Sequence, residues 1–315
     1  LIESAFFPPL AGRRHVVTDE HVARAQPVEG HSRIVVPAGE EHKTLVGAEY
    51  VLRSLAQAGA ERSDLVVAVG GGVVGDLAGF CAAVYQRGMP HVQVPTTLVA
   101  QVDSAYGGKT GVDLPEGKNY VGAFHQPSAV VCDPAVLDTL PPEEAASGYV
   151  EVLKTALIAG GTLWARVRQG GAVSAREIMG CARTKLAVVA EDERDGGRRQ
   201  VLNLGHTVGH AIEAATGFSR YRHGEAVGIG LLVALRLSGR DALRSEVADL
   251  LADRGLPLTY SGAAPDVVAA VAERDKKRTR GRVPFVLVEA PGQVTPGHDV
   301  DFASLYAAIE EVHGR

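Results

Sequence analysis

The chain has 315 residues and a mass of 33.0 kDa, beyond the size at which a single hydrophobic core stops growing, so two lobes are expected. Apolar residues make up 46% and charged residues 22%, ordinary globular proportions that exclude a disordered or fibrous chain. A net charge of -5 and a pI near 6.1 argue against a nucleic-acid partner, which would call for clustered Lys and Arg.

The first half alternates short β-branched runs with helical patterns. Val16 with Val17, and residues 34–36, read as strands. An amphipathic stretch carrying Leu45, Leu52 and Leu55 reads as a helix stopped by Gly59, and Ser63 with Asp64 supplies the turn into the most apolar run, residues 65–69. Residues 91–94, closed by Pro95, and residues 129–132, closed by Asp133 and Pro134, are further strands. This alternation predicts a mostly parallel sheet covered by helices.

From about Pro142 helical periodicity takes over, at 148–159, 175–190, 201–215, 225–237 and 242–251, so residues 1–141 are expected to form an α/β domain and residues 142–315 a mainly helical one. Residues 283–288 could add a late strand, which Pro284 confines to an edge. The three cysteines, Cys81, Cys132 and Cys181, lie far apart among apolar neighbours and read as reduced core thiols of a cytoplasmic protein. No run reaches the ~18 apolar residues of a membrane span, and the first residues lack the basic-then-apolar order of a signal peptide. The chain opens on Leu1 rather than Met, so some preceding sequence is expected to be missing.

Three constellations carry chemistry. The strand at 65–69 runs into Gly70-Gly71-Gly72-Val73-Val74-Gly75-Asp76 and then a helix-compatible stretch. Such a turn lets a pyrophosphate approach backbone N–H groups at a helix N-terminus, although a plain tight turn has the same composition. Asp76 either caps that helix or accepts hydrogen bonds from a ribose or substrate hydroxyl. In the second half, Glu151, His206 and His223 make a catalytic-zinc type of ligand set with open positions for a substrate oxygen. Each alone has an ordinary reading, as a solvated helix residue, a satisfied core histidine and a neighbour of a helix start. His210, one helical turn beyond His206, shares its face, but the Glu of a HExxH protease is replaced by Thr207. Lys109, Lys118, Lys154, Lys185, Arg199 and Lys276 with Lys277 stand among glycine loops and apolar helices, which suits a phosphate or carboxylate ligand, whereas Arg278, Arg280 and Arg282 read as surface charge.

These segments together resemble the dehydroquinate synthase family, over nearly the whole chain. The matching motifs are GEEHK at 39–43, GGGVVGD at 70–76, PTT at 95–97, QVDS at 101–104, GGKTGV at 107–112, GKN at 117–119 and DKK at 275–277. The resemblance implies a Rossmann-like α/β lobe and a helical lobe with the site in the cleft between them. It implies NAD across Glu40, Lys43, Gly71, Gly72, Val73, Asp76, Thr96, Thr97, Lys109, Lys118 and the Val136, Leu137, Asp138 and Thr139 segment. One divalent ion, Zn2+ or Co2+, would sit on Glu151, His206 and His223. A sugar phosphate would meet Asp103, Lys109, Asn119, Lys154, Lys185, Arg199, Asn203 and His210, with Arg87 reaching its phosphate across a homodimer interface. His210 would relay a proton or simply steady His206.

The implied reaction is the conversion of 3-deoxy-D-arabino-heptulosonate 7-phosphate to 3-dehydroquinate and phosphate, by transient oxidation, elimination, reduction, ring opening and aldol closure. Asp113 stands where Asn is more usual, Asp195 where Glu is common, and Pro284 at a position often basic, which bears on substrate placement; the short start would remove the usual opening strand. The rival readings are a sister cyclase making an aminated quinate, a valiolone or an inosose, a metal-dependent alcohol dehydrogenase, and a non-catalytic binding protein of the same fold. The intact GGKTG loop argues against the valiolone and inosose branches. The PTT and GGKTG series is foreign to the dehydrogenase, and the complete ligand set argues against loss of catalysis.

Overall fold

The computed structural model describes residues 12–26, 28–277 and 284–314, with the side chains of 274–277 and 284 outside that description. Expectations about Leu1, Arg278, Arg280, Arg282 and Val283, and about the side chains of Lys276, Lys277 and Pro284, therefore fall outside the described residues. Two compact units part between Pro141 and Pro142.

In the first unit the chain runs β1 (Arg14–Asp19), α1 (Glu20–Ala25), β2 (Ser32–Val36), α2 (Leu45–Gln57), β3 (Leu65–Gly70), α3 (Gly72–Val84) and β4 (His91–Pro95). It continues through β5 (Lys109–Leu114), β6 (Gly117–Phe124) and β7 (Ala129–Val130). The sheet order is β2-β1-β3-β4-β7, every pair parallel. Strand β3 is buried at all six positions, as an unbroken apolar run on a two-sided parallel sheet must be. Its residues alternate between two cores: Val66 and Ala68 pack with Val51 and Leu55 of α2 and Leu77, Ala78 and Cys81 of α3, while Leu65, Val67 and Val69 pack with Val16, Val92 and Val94. Burying leucines such as Leu55 and Leu77, both 0% exposed, contributes roughly 1.5–3 kcal/mol each.

Helix α2 ends as expected, with Gly59 left-handed at φ 64° and its N–H on Ala56 O. The expected strand at 129–132 shortens to two residues. The antiparallel hairpin β5–β6 was not expected, since its glycines break the period-two pattern; a Cβ on Gly79 would lie 2.5 Å from Thr110 Cγ2, so that glycine lets α3 close on β5.

The second unit contains α4 (Pro142–Ala159), α5 (Gly161–Val167), α6 (Ala175–Glu191), α7 (His206–Ala215), α8 (His223–Leu237), α9 (Asp241–Ala252) and α10 (Pro265–Lys277). A two-stranded hairpin, β8 (Pro284–Ala290) with β9 (Gln293–Asp299), and α11 (Phe302–Glu310) complete it. Helix α4 starts six residues earlier than its periodicity suggested and is buried without interruption from Ser147 to Ile158. The single helix expected over 201–215 is two: a 3₁₀ turn, Arg198–Asn203, and then α7, separated by Gly205 at φ 78°. Helices α4, α7 and α8 meet at glycines. A Cβ on Gly230 would overlap the Gly205 carbonyl oxygen, and one on Gly224 would overlap that of Ser147. These approaches set the starts of α7 and α8 beside the middle of α4.

Candidate active site

In the first unit, the order 2-1-3-4-7 places a topological switch between β1 and β3, and open parallel sheets bind ligands beyond the carboxyl ends of the strands at such a point. The segments leaving those ends carry the expected nucleotide residues. Gly71 precedes α3 at its N-terminus, with Gly72 and Val73 in the first turn. A Cβ on Gly71 would lie 2.9 Å from Thr97 Cγ2 and one on Gly72 would lie 3.0 Å from Ser104 Oγ, so these two glycines give close approach. Thr96 follows β4 and donates its N–H to Gly70 O at 3.0 Å.

Asp76 does not cap α3: it is the fifth residue of that helix and faces Lys43, whose Nζ lies 3.3 Å from Asp76 Oδ2, 2.6 Å from Glu40 Oε1 and 3.7 Å from Asp113 Oδ1. Burial opposes charge on Lys43, yet the carboxylates of Asp76, Glu40 and Asp113 overcome it and raise its pKa. Glu40, Lys43 and Asp76 are thus gathered in one ion-pair cluster. Val136, Leu137, Asp138 and Thr139 form a 3₁₀ turn after Asp133. Gln101, buried, ties that turn to β4 by donating Nε2 to Asp133 O at 2.7 Å and to Pro95 O at 3.2 Å. Asp103 is half-buried in the short π-helical turn Ala100–Ser104 that also carries Gln101, Lys109 is exposed at the start of β5, and Lys118 and Asn119 lie early in β6. Arg87 stands apart: it follows the far end of α3, about 20 Å of helix axis from Gly72, and is exposed with φ 70° next to Gln86 at φ 47°.

In the second unit, Glu151 and Lys154 lie one turn apart on α4, 0% and 1% exposed, with Nζ 2.5 Å from Glu151 Oε2. Glu151 Oε1 lies 3.6 Å from His206 Nε2 and 3.5 Å from His223 Nε2, and no hydrogen bond of normal geometry satisfies it among the described residues. Ligands about 2.1 Å from a tetrahedral ion stand roughly 3.4 Å from one another, close to both separations. The other ring nitrogens are occupied: His206 Nδ1 donates to Leu204 O at 3.2 Å and His223 Nδ1 faces Glu213 Oε2 at 3.3 Å, which turns both Nε2 atoms toward Glu151.

Burial, with Lys154 beside it, lowers the His206 pKa to about 3, so that ring is neutral. Burial alone would lower His223 too, but Glu151 and Glu213 outweigh it and hold it at about 9. Glu151 itself, against its burial, is kept well below the carboxylate range by Lys154 and His206. The residues therefore fit a divalent ion. His210 is exposed, its ring centroid 5.2 Å from that of His206 and 5.7 Å from that of His223, and the nearest ligand atoms of His206, His210 and His223 fall within 4.8 Å. Arg199 is buried, donating to Glu193 O at 2.6 Å, Lys185 is buried on α6, and Asn203 is exposed at the end of the 3₁₀ turn. Asp195 occupies a left-handed position, φ 60°.

Glu213 was not singled out in the sequence. Its spacing of seven from His206 puts it on the ligand face of α7, but a carboxylate there reads as solvated until its buried partner is seen.

Comparison with known proteins matches residues 33–147 to the 3-dehydroquinate synthase N-terminal model and residues 148–278 to the 3-dehydroquinate synthase C-terminal model. A curated 3-dehydroquinate synthase of Nitrobacter hamburgensis is 46% identical over 318 residues, covering 91% of this chain and 83% of that protein. Among solved structures, ValA (2-epi-5-epi-valiolone synthase) from Streptomyces hygroscopicus subsp. jinggangensis, with NAD+ and Zn2+ bound, superposes with TM-score 0.83 at 27% identity, covering 96% and 91% of the two chains. A 2-deoxy-scyllo-inosose synthase complexed with carbaglucose-6-phosphate, NAD+ and Co2+ does so with TM-score 0.82 at 25% identity, covering 98% and 93%.

Proposed function

Because this chain belongs to the 3-dehydroquinate synthase family, we propose that it converts 3-deoxy-D-arabino-heptulosonate 7-phosphate to 3-dehydroquinate and phosphate, with NAD and one Zn2+ or Co2+ as cofactors. The observation that carries the metal reading is Glu151 Oε1, buried and unsatisfied, at ligand spacing from two imidazole nitrogens whose rings are already oriented. When bound, NAD would take up and return a hydride while the ion on Glu151, His206 and His223 polarises the substrate oxygen being oxidised.

The chain's own residues do the rest. Gly71, Gly72, Val73, Thr96, Thr97 and residues 136–139 line the strand ends and are assigned to the nucleotide together with Glu40, Lys43 and Asp76; Lys109 and Lys118 are assigned there too, by the resemblance. Lys154, Lys185 and Arg199 are cations in or near full burial, and an anion such as a departing phosphate gains most from such partners because water does not screen them. Asp103, Lys109, Asn119, Asn203 and His210 are assigned to the substrate's hydroxyls and carboxylate. His210, exposed and within reach of His206, is assigned to proton transfer. Holding the two ends of the opened sugar close is what the chain contributes to ring closure, where orientation alone supplies roughly 7–11 kcal/mol.

Arg87, remote from the nucleotide residues of its own unit, suits a role toward the phosphate of a second protomer, so a homodimer belongs to this reading. None of Cys81, Cys132 and Cys181 is in a disulfide, which suits a cytoplasmic location, and no helix among the described residues is long and apolar enough to cross a membrane.

The test is substrate choice. Metal-loaded protein with NAD is offered the heptulosonate phosphate and, separately, glucose 6-phosphate and sedoheptulose 7-phosphate, and inorganic phosphate is followed. Release from the first at a kcat/KM at least about 100-fold above the others supports the assignment. Preference for either other sugar moves the chain to a sister activity.

A further inference from the structure

The β5–β6 hairpin slips register at one point. Val112 pairs with Val121, and the next rung joins Leu114 to Gly117, so Lys118, Asn119 and Tyr120 together oppose Asp113 alone. Bulges of this kind re-aim side chains and leave backbone groups without a rung partner. Asn119 takes φ 57° within it, a left-handed conformation that Asn tolerates better than most residues. Its N–H, deprived of a ladder partner by the slip, donates instead to Asp113 Oδ1 at 2.7 Å.

That oxygen is itself held from the other side. Lys43 Nζ lies 3.7 Å away, and the Asp113 N–H donates to Lys43 O at 2.7 Å, so backbone and side chain both anchor residue 113 to the Lys43 segment. Lys43 is 3% exposed and fixed by Glu40 at 2.6 Å, which gives the carboxylate a rigid neighbour. One side chain thereby joins the lysine of the nucleotide cluster to the backbone of Asn119.

We propose that Asp113 is a positioning residue for the sugar phosphate: as the acceptor of the Asn119 N–H, with its own place set by Lys43, it fixes the bulge that presents Lys118 and Asn119, an inference that rests on the cyclase reading given above. What the position requires is an acceptor at Oδ1 rather than a charge. Asn can supply that acceptor, and Ala cannot.

The experiment compares Asp113→Asn and Asp113→Ala with wild type in two readouts. A charge-assisted hydrogen bond is worth enough that its loss changes an equilibrium about 10-fold. D113A is therefore expected to raise KM for the heptulosonate phosphate about 10-fold with a smaller change in kcat, and D113N to stay within about threefold of wild type. Hydrogen–deuterium exchange read by mass spectrometry on peptides spanning residues 114–122 is expected to quicken about 10-fold in D113A and to match wild type in D113N. If D113A does not fold, D113S, whose hydroxyl is too short to span to the bulge, replaces it with the same expectations. Equal KM in all three proteins, or D113N losing as much as the Ala or Ser variant, overturns the proposal. Wild-type protein that releases no phosphate sinks the cyclase reading instead, and the exchange rates still decide whether Asp113 holds the bulge.

Discussion

Glu213→Ala is the most informative perturbation of the metal site, because Glu213 would touch no ion and yet orients a ligand. The residue is buried on α7, and its Oε2 faces His223 Nδ1 at 3.3 Å. Alanine leaves that N–H facing space its acceptor had filled, and it frees the ring to rotate Nε2 away from Glu151. A carboxylate supporting a ligating imidazole is worth about 10- to 100-fold in metal affinity, or about 1.4–2.7 kcal/mol. Competition for zinc against a chromophoric chelator measures it, with circular dichroism to show that the fold is kept and with Glu213→Gln, which retains an acceptor, falling between Ala and wild type. A folded Glu213→Ala protein that binds zinc within about threefold of wild type would refute the assignment of Glu213, and with it the argument from ring orientation.

Four further outcomes follow from the same geometry. Since Glu151 and Glu213 hold His223 at about 9, an ion must displace a proton there at neutral pH; zinc affinity should rise with pH toward 9, and calorimetry in buffers of different ionisation heat should count about one proton released per ion. Lys154→Ala strands the Glu151 carboxylate in full burial, so urea unfolding of the metal-free protein should lose roughly 3–5 kcal/mol, with a large part recovered on adding zinc; equal losses with and without metal would show that Glu151 is not a ligand.

His91 is wholly buried against His125, and burial lowers its pKa from 6.5 to about 3, so its folded form stays neutral. A lowered histidine contributes its full stability above 6.5 and loses it as pH falls from 6.5 toward 3; wild type should therefore lose about 2 kcal/mol more than His91→Phe between pH 7 and pH 5, and parallel losses would contradict this. Gly230→Ala drives a methyl group into the Gly205 carbonyl, and should cost at least about 3 kcal/mol and weaken zinc binding together, since the same contact sets the start of α7; retention of both would remove that contact from the account.

The parts of the fold that were legible from sequence are those where local pattern and burial agree. β3 was plain because an unbroken apolar run between turn residues has few alternatives to a two-sided buried strand, and α6 because its apolar face repeats at helical spacing up to its Ser174 cap. The β5–β6 hairpin was not, because Gly111, Gly117 and Gly122 remove side chains from the very positions that would mark alternation, and its bulge shifts the phase besides. The break at Gly205 was hidden for a related reason: Val201, Leu204 and Val208 keep helical spacing across it, while the φ of 78° answers to packing against Leu231.

At the site, Glu151, His206 and His223 each had an ordinary reading alone; their residue types suggested a ligand set, to which the resemblance pointed as well, but what joins them physically is the glycine-mediated approach of α4, α7 and α8, which no window of sequence contains. Asp76 was taken for a possible cap because it follows a glycine turn, whereas α3 begins at Gly72 and carries Asp76 inward to Lys43. Glu213 and the role of Asp113 depend on partners ten residues away in one case and seventy in the other, and so belong to tertiary structure alone.

The measurement that bears most directly on the whole account follows inorganic phosphate and absorbance at 340 nm together, with the heptulosonate phosphate as substrate and with NAD or zinc withheld in turn. The account predicts many turnovers of phosphate release that need both NAD and zinc, with no NADH accumulating, because the hydride returns to the same substrate molecule. NADH rising in step with substrate consumed would instead make this chain a dehydrogenase, and phosphate release indifferent to NAD would leave the proposed chemistry without its first step.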